Sequence, residues 1–154
     1  MGESQRKLVV FPGAGRSLPV GSSAVRLLAV GDDTAQRSST EEIEVPAGFD
    51  GPPPHYHNRT NHSWYVVEGE LRLTVDGEPF DLAPGGFVYV PTGVGHTFAN
   101  TGTIDARLVQ FTTPGGFDVY LEELSLAFPA GSEIDARRMI EIMARHDTYP
   151  VQTG

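Results

Sequence analysis

Residues 55–62 read HYHNRTNH, and three of the eight are histidines. His55 and His57 are two positions apart, so on a β-strand both imidazoles point to the same face, with Cα atoms about 7 Å apart. His62 follows across a short polar loop and opens an apolar run. A fourth histidine, His96, opens a later run with Phe98 on the same face. We expect these four imidazoles to meet around one ion.

Four neutral imidazoles favour a transition metal over Ca²⁺ or Mg²⁺, which prefer oxygen ligands. A lone histidine is usually a surface or core residue hydrogen-bonded to a carbonyl. Four buried imidazoles without an ion would each leave polar atoms unpaired, at about 1–3 kcal/mol apiece. The cluster therefore predicts one divalent transition metal per chain, either Fe, Mn, Ni, Cu or Zn. The fifth histidine, His146, ends a helical stretch and is expected to have no catalytic role.

Short apolar runs separated by glycine and proline (18 and 12 residues) fill most of the chain. This pattern is typical of an all-β domain. The Asp76-Gly77 pair between two such runs predicts a tight hairpin turn. Residues 13–18, GAGRSL, are interpreted as a turn because no helical pattern follows them. The predicted strands cover residues 7–11, 23–30, 41–45, 62–68, 70–75, 80–83, 86–90, 96–99 and 106–112.

After Pro114 the spacing of apolar residues changes to three and four, which predicts one or two amphipathic helices within 117–128 and 134–146. At 154 residues the chain has enough apolar content for one core. We expect a single domain over residues 1–154. It comprises an N-terminal strand extension (1–22), a barrel (about 23–113) and a C-terminal helical segment (about 116–147).

Composition restricts the function classes. The formal net charge is -9, and no basic stripe offsets it, so nucleic acid and anionic membranes are not expected partners. The chain contains no cysteine, which leaves nitrogen and oxygen groups for any chemistry. The N-terminus has no secretory pattern, and no apolar stretch is long enough to span a membrane, so a cytoplasmic location is expected.

The segment GGFVYVPTGVGHTFAN, residues 85–100, carries a family resemblance. It resembles the second motif of the cupin superfamily, G-x5-P-x-G-x2-H-x3-N, at every defined position: Gly85, Pro91, Gly93, His96 and Asn100. The resemblance implies a cupin fold, a jelly-roll β-barrel, here with one or two C-terminal α-helices.

The first cupin motif, G-x5-H-x-H-x3,4-E-x6-G, is similar to residues 48–69. His55, His57 and Gly69 match it, and His62 stands where the family usually has glutamate. The resemblance implies that His55, His57 and His96 are metal ligands, with His62 as a substituted ligand. A neutral imidazole in place of a carboxylate makes the ion a stronger Lewis acid. It also removes the carboxylate that is thought to act as the base in quercetinase-like cupins, so His62 is the candidate catalytic residue, as an outer ligand or an acid/base.

Three functions remain open. Single-domain cupins with this arrangement resemble quercetinase-like dioxygenases, in which a metal would chelate an enolic or phenolic substrate and hold it against O2. They are also similar to four-histidine polyketide cyclases or isomerases, in which the metal polarises carbonyls without redox change. A non-catalytic small-molecule-binding cupin is the third, because fold does not fix function. The resemblance further implies a homodimer.

An apolar pocket at the barrel mouth is expected to accept a flat, mostly hydrophobic molecule. Aromatic and branched residues on alternating strand positions are candidates to line it, although such residues more often fill barrels. They are Trp64, Val66, Phe87, Tyr89, Phe98 and Phe111.

Overall fold

The computed structural model describes residues 6–152, which form two antiparallel sheets followed by two helices and a short last strand. The strands are β1 (Arg16–Val20), β2 (Ser23–Ala29), β3 (Ser39–Val45), β4 (His55–Tyr56), β5 (Asn61–Glu68), β6 (Leu71–Val75), β7 (Glu78–Leu82), β8 (Phe87–Val90), β9 (His96–Ala99), β10 (Ala106–Thr113) and β11 (Tyr149–Pro150). The helices are α1 (Phe117–Ala127) and α2 (Ala136–Ala144), and a 3-10 turn covers Gly31–Thr34.

One sheet has the order β1-β2-β3-β10-β5-β8, and the other has the order β11-β4-β9-β6-β7. Alternate residues of each strand point into a shared core, which Leu108 and Val66 enter from the first sheet and Leu73 from the second. Trp64 of β5 contacts Phe98 of β9 across the interior, with ring centroids 5.6 Å apart. The expected all-β architecture with C-terminal helices is confirmed.

The hairpin at Asp76-Gly77 is also confirmed. Leu71 pairs with Leu82 and Val75 with Glu78, which leaves the two turn residues between the strands. Both have positive φ, 51° at Asp76 and 78° at Gly77, as a type I′ turn requires.

The strand predicted at residues 7–11 is wrong. Residues 7–11 form no strand, because no neighbouring strand in the described chain pairs with them, and Val9 and Phe11 are largely exposed. The first strand instead begins at Arg16, inside the segment interpreted as a turn, and pairs with β2 across Gly21-Ser22. Apolar alternation marks β-propensity, but pairing decides which segment becomes a strand.

The two helices follow the predicted periodicity. Tyr120, Leu121 and Leu124 of α1 are buried, as are Met139 and Met143 of α2. Asp135 caps α2, where its side chain accepts a hydrogen bond from the Arg138 amide. None of the helices in residues 6–152 has the length and apolar content to span a bilayer.

After α2 the chain turns back onto the second sheet. The short β11 pairs with β4, with Pro150 opposite His55 and Tyr149 opposite Tyr56. This strand was not predicted, because two residues carry no periodicity. Its consequence is that the C-terminal segment lies beside the histidines.

Candidate metal centre and its cavity

Strand pairing brings two of the candidate ligands together. β4 and β9 are neighbours in the second sheet, and His55 pairs directly with His96. Their ring centroids are 4.5 Å apart, and the His57 ring is 5.1 Å from His55 and 5.0 Å from His96. Residues 41 positions apart in sequence therefore share one point in space.

The loop that leads into His55 is fixed by close backbone approach. Gly51 has φ +81°, and a Cβ at this position would lie 1.7 Å from the carbonyl oxygen of Phe98. Only glycine fits there. Thr97 donates a hydrogen bond of 2.6 Å to the Pro52 carbonyl, which ties the triple-proline segment to β9.

The two motif segments are also tied to each other. The amide of Gly93 donates a 2.7 Å hydrogen bond to the carbonyl of His57. Asn100 is buried, and its side-chain amide donates to the carbonyls of Val45 and Ile104. The motif residues other than histidine therefore hold the loops that present the imidazoles.

Three imidazoles have one nitrogen committed to the backbone. Nδ1 of His55 lies 2.7 Å from the Pro53 carbonyl, Nδ1 of His57 lies 3.0 Å from the Asp147 carbonyl, and Nδ1 of His96 lies 2.9 Å from the Val94 carbonyl. A carbonyl only accepts, so Nδ1 carries the hydrogen in each ring and Nε2 carries the lone pair.

The free lone pairs fit a metal. Ligand atoms of His55, His57 and His96 all lie within 4.8 Å of one another. Nε2 of His57 and Nε2 of His96 are buried and have no hydrogen-bond partner among the described residues. Oriented, unpaired imidazole nitrogens with carbonyl-bound Nδ1 atoms are the arrangement found at histidine metal sites. This cluster therefore indicates a metal-binding site.

The same environment keeps the imidazoles neutral. Burial is the largest cause that lowers the pKa of His55 well below 6.5, and the neighbouring His96 and His57 lower it further. Burial also lowers the pKa of His57, and it lowers the pKa of His96 to about 4. At neutral pH the lone pairs are available to an ion.

His62 lies beside this group but is arranged differently. Its ring stacks on His57 with centroids 4.4 Å apart and planes inclined by 5°, so the in-plane lone pairs of the two rings do not converge. Neither of its ring nitrogens has a hydrogen-bond partner among the described residues. Burial, followed by the nearby histidines, lowers its pKa well below 6.5, and the nearby Gln110 side chain opposes this shift. His62 is thus a neutral imidazole here, and its part as a ligand or an acid/base stays a proposal.

A cavity of about 750 Å³ leads from the histidines toward the C-terminal helices. His55 and His62 line the end of the cavity at the histidine cluster. Phe117, Tyr120 and Leu124 of α1 line it on the side of the helices. The Phe117 ring lies 4.9 Å from that of His62. Of the predicted pocket residues, Trp64 and Phe98 line this cavity.

The remaining predicted pocket residues lie elsewhere. Val66 is fully buried in the core and does not reach the cavity. Phe87, Tyr89 and Phe111 are 60%, 55% and 44% exposed, because they occupy the outward positions of β8 and β10. Their assignment to the pocket is wrong: alternation groups residues by face, but it does not tell which face is the inner one.

The structure adds site residues that the sequence analysis missed. Glu41 and Gln110 are buried inside the first sheet, and Phe117 and Tyr120 come from a helix that was predicted only as a cover. The Asp147 carbonyl orients His57, and its carboxylate accepts from the amides of Asn58 and Arg59. The only sequence signal for Glu41 and Gln110 is that each is a polar residue at an inward position of its strand.

The Asp147 carboxylate is expected to support metal affinity indirectly. Asp147→Ala removes its hydrogen bonds to the segment after His57, at distances of 3.2 and 2.8 Å, and so loosens the carbonyl that orients the ring. Loss of an outer partner of this kind typically weakens metal binding about 10-fold or more. Competition titration with Zn²⁺ measures the change. Asp81→Ala, which removes an exposed carboxylate paired with Arg72, is the control and should bind normally. Equal affinities in both variants would contradict this role.

Comparison with known proteins agrees with the geometry. A model of the family described as "Cupin domain" matches residues 41–112. Quercetin 2,3-dioxygenase of Bacillus subtilis is 28% identical over 116 residues, which is 75% of this chain and 34% of that protein. The chain thus spans about a third of that relative's length. Protein SchB of Streptomyces halstedii is 29% identical over 114 residues, which is 74% of this chain and 82% of SchB.

Among solved structures, the polyketide cyclase RemF of Streptomyces resistomycificus matches with a TM-score of 0.60 and 24% identity, over 70% of this chain and 80% of RemF. That likeness concerns the fold. The two sheets, the match over residues 41–112 and the two histidine motifs lead to one conclusion: this chain contains a cupin domain.

Proposed function

We propose that this protein is a metal-dependent cupin enzyme that acts on a neutral, aromatic or enolic small molecule, with quercetinase-like dioxygenation as the leading activity. One observation carries the proposal. A cluster of three imidazoles, in which Nε2 of His57 and of His96 has no hydrogen-bond partner among the described residues, meets an apolar cavity of about 750 Å³ at His55. That volume is within the usual range of small-molecule sites.

The charges along the cavity wall support a neutral substrate. Among the described residues, the lining includes the carboxylates of Asp50 and Glu133 but no lysine or arginine. Phosphate and carboxylate groups are normally bound by such cations. A sugar phosphate or a small dicarboxylate therefore fits this cavity poorly, whereas a flat apolar ring system suits a lining that includes Trp64, Phe98 and Phe117.

The three histidines would hold one divalent transition metal, among Fe, Mn, Ni, Cu and Zn. When bound, it would supply a Lewis acid that polarises substrate oxygens or, if redox-active, a centre for oxygen chemistry. The protein's own groups do the rest. Trp64 and Phe98 position a planar substrate, and Phe117 and Tyr120 close the cavity toward α2 and exclude water. His62, a neutral imidazole on the cavity wall, is placed to accept a proton from a bound hydroxyl.

Support for dioxygenation comes from the similarity to the Bacillus quercetin 2,3-dioxygenase. The donor set is a reason to keep a second candidate, a polyketide cyclase or isomerase. The ligand group contains imidazoles and no carboxylate, and a neutral set leaves the full charge of the ion to polarise carbonyls. The polyketide cyclase RemF shares the fold of this chain.

Oxygen uptake separates the two candidates. The purified protein is loaded in turn with Fe²⁺, Mn²⁺, Ni²⁺, Cu²⁺ and Zn²⁺, and O2 consumption is followed against flavonols, diketones and polyphenols. Dioxygenation predicts uptake of about one O2 per substrate consumed with a redox-active or nickel site, and none after His96→Ala. Substrate conversion without O2 uptake, with zinc as the best metal, supports the cyclase. Binding without conversion under every metal contradicts both and leaves a binding protein.

A further inference from the structure

Gln110 is a buried amide in the wall of the cavity. It lies on β10 between Glu41 of β3 and Trp64 of β5, and all three point into the barrel. Only 3% of Gln110 is exposed, although it contributes to the cavity lining. The same lining contains apolar side chains, with Ile43, Leu121 and Phe98 among them. An amide held in such a wall needs partners for four hydrogen-bonding sites.

The orientation of this amide is fixed by its neighbours. The indole Nε1–H of Trp64 can only donate, and it lies 2.9 Å from Oε1 of Gln110. Nε2 of Gln110 therefore faces Glu41, to whose Oε2 it donates over 3.4 Å. One N–H and one oxygen lone pair of Gln110 remain beyond these two contacts, on an amide that also lies close enough to the His62 ring to influence its pKa.

Glu41 holds the other side of the amide. It is fully buried, no cation pairs with it in the described chain, and its Oε1 has no hydrogen-bond partner there. Burial raises the pKa of Glu41 to about 8, against the opposing Gln110 hydrogen bond and with a smaller contribution from Asp118. A neutral carboxyl accepts from Gln110 through one oxygen and places no negative charge behind the cavity wall.

We propose that Gln110 is a specificity-determining residue that hydrogen-bonds a hydroxyl of the substrate, with Glu41 as the positioning residue that holds its amide. A hydroxyl both donates and accepts, so it matches the remaining carbonyl lone pair and N–H of Gln110. A carboxylate or a phosphate can only accept and would find one partner. The inference rests on the proposed function and narrows it: the substrate carries a hydroxyl on the part of its ring system that lies along β10.

Calorimetric binding to the metal-loaded protein tests this assignment. The probes are quercetin and two flavonols that each lack one of its ring hydroxyls, kaempferol and fisetin. Gln110→Met keeps the side-chain length but removes both the N–H donor and the carbonyl acceptor. We expect it to weaken quercetin binding about 10-fold. A flavonol that lacks the hydroxyl contacted by Gln110 should bind to the wild type and to Gln110→Met with equal affinity.

Two variants of Glu41 keep the test decisive if Gln110→Met folds poorly. Glu41→Leu removes the acceptor that holds the amide and should weaken quercetin binding selectively, whereas Glu41→Gln retains an acceptor and should restore it. No loss in either Gln110→Met or Glu41→Leu would overturn the inference while the proposed function stands. If no flavonol binds the metal-loaded wild type, the proposed substrate class fails and this inference fails with it.

Discussion

His96→Ala should abolish stoichiometric metal binding. His96 is one of three histidines whose ligand atoms lie within 4.8 Å of one another, and alanine leaves only two of them, His55 and His57. Loss of an outer partner already costs roughly 10–100-fold in metal affinity, and loss of a direct ligand costs more. Metal content after dialysis against a weak chelator, measured by mass spectrometry, gives the result: about one ion per wild-type chain and almost none per variant chain.

His62→Ala and His146→Gln complete this experiment. His62 lies outside the group that converges, so its variant should retain the ion with weaker affinity. His146 lies beyond α2, with its ring nitrogen paired to Glu123, so its variant should bind as the wild type does. Retention of a full complement of metal by His96→Ala would exclude the proposed centre. Complete loss in His62→Ala would make His62 an equal fourth ligand.

Glu41→Gln should stabilise the protein, and more strongly as the pH rises. Burial is the main reason that the folded carboxyl has a pKa of about 8, against 4.5 as its ordinary value. Between these values the folded state binds a proton that the unfolded state has released, so the free energy of unfolding falls with rising pH. Relative to a side chain that stays neutral in both states, the free energy of unfolding is lowered by about 1 kcal/mol at pH 5 and about 4 kcal/mol at pH 8. Glutamine stays neutral and keeps an acceptor for Gln110.

Urea unfolding of the wild type and Glu41→Gln at pH 5, 6, 7 and 8 measures this difference. The two midpoints should be close at pH 5 and separate steadily toward pH 8, with the variant the more stable. Glu44→Gln on the same strand, where the side chain is exposed, is the matched control and should show no such trend. Parallel stability curves for the wild type and Glu41→Gln would show that Glu41 titrates normally and is not held neutral by burial.

Much of the site could be predicted because it rests on local spacing. A His-x-His pair on a strand points both rings to one face, and the later motif fixes the turn that presents His96. The hairpin at Asp76-Gly77 was predictable for the same reason, since two residues determine its φ angles. These features depend on residues close together in sequence.

Other features depend on which strands pair, and local patterns do not encode this. Phe87 and Tyr89 share a face of β8, but only the packed barrel shows that this face is the outer one. Glu41 and Gln110 meet because β3 and β10 are neighbours in a particular register. The orientation of the His62 ring depends on stacking with His57 and on an edge-to-face contact with Phe117, which belong to two other segments.

Anomalous scattering from crystals of the protein, recorded at the absorption edge of the metal that it carries, tests the central claim most directly. We expect one anomalous difference peak per chain, at about 2.0–2.2 Å from Nε2 of His55, His57 and His96. A peak bound through Nδ1 atoms, or a stoichiometric metal located away from these three rings, would contradict it.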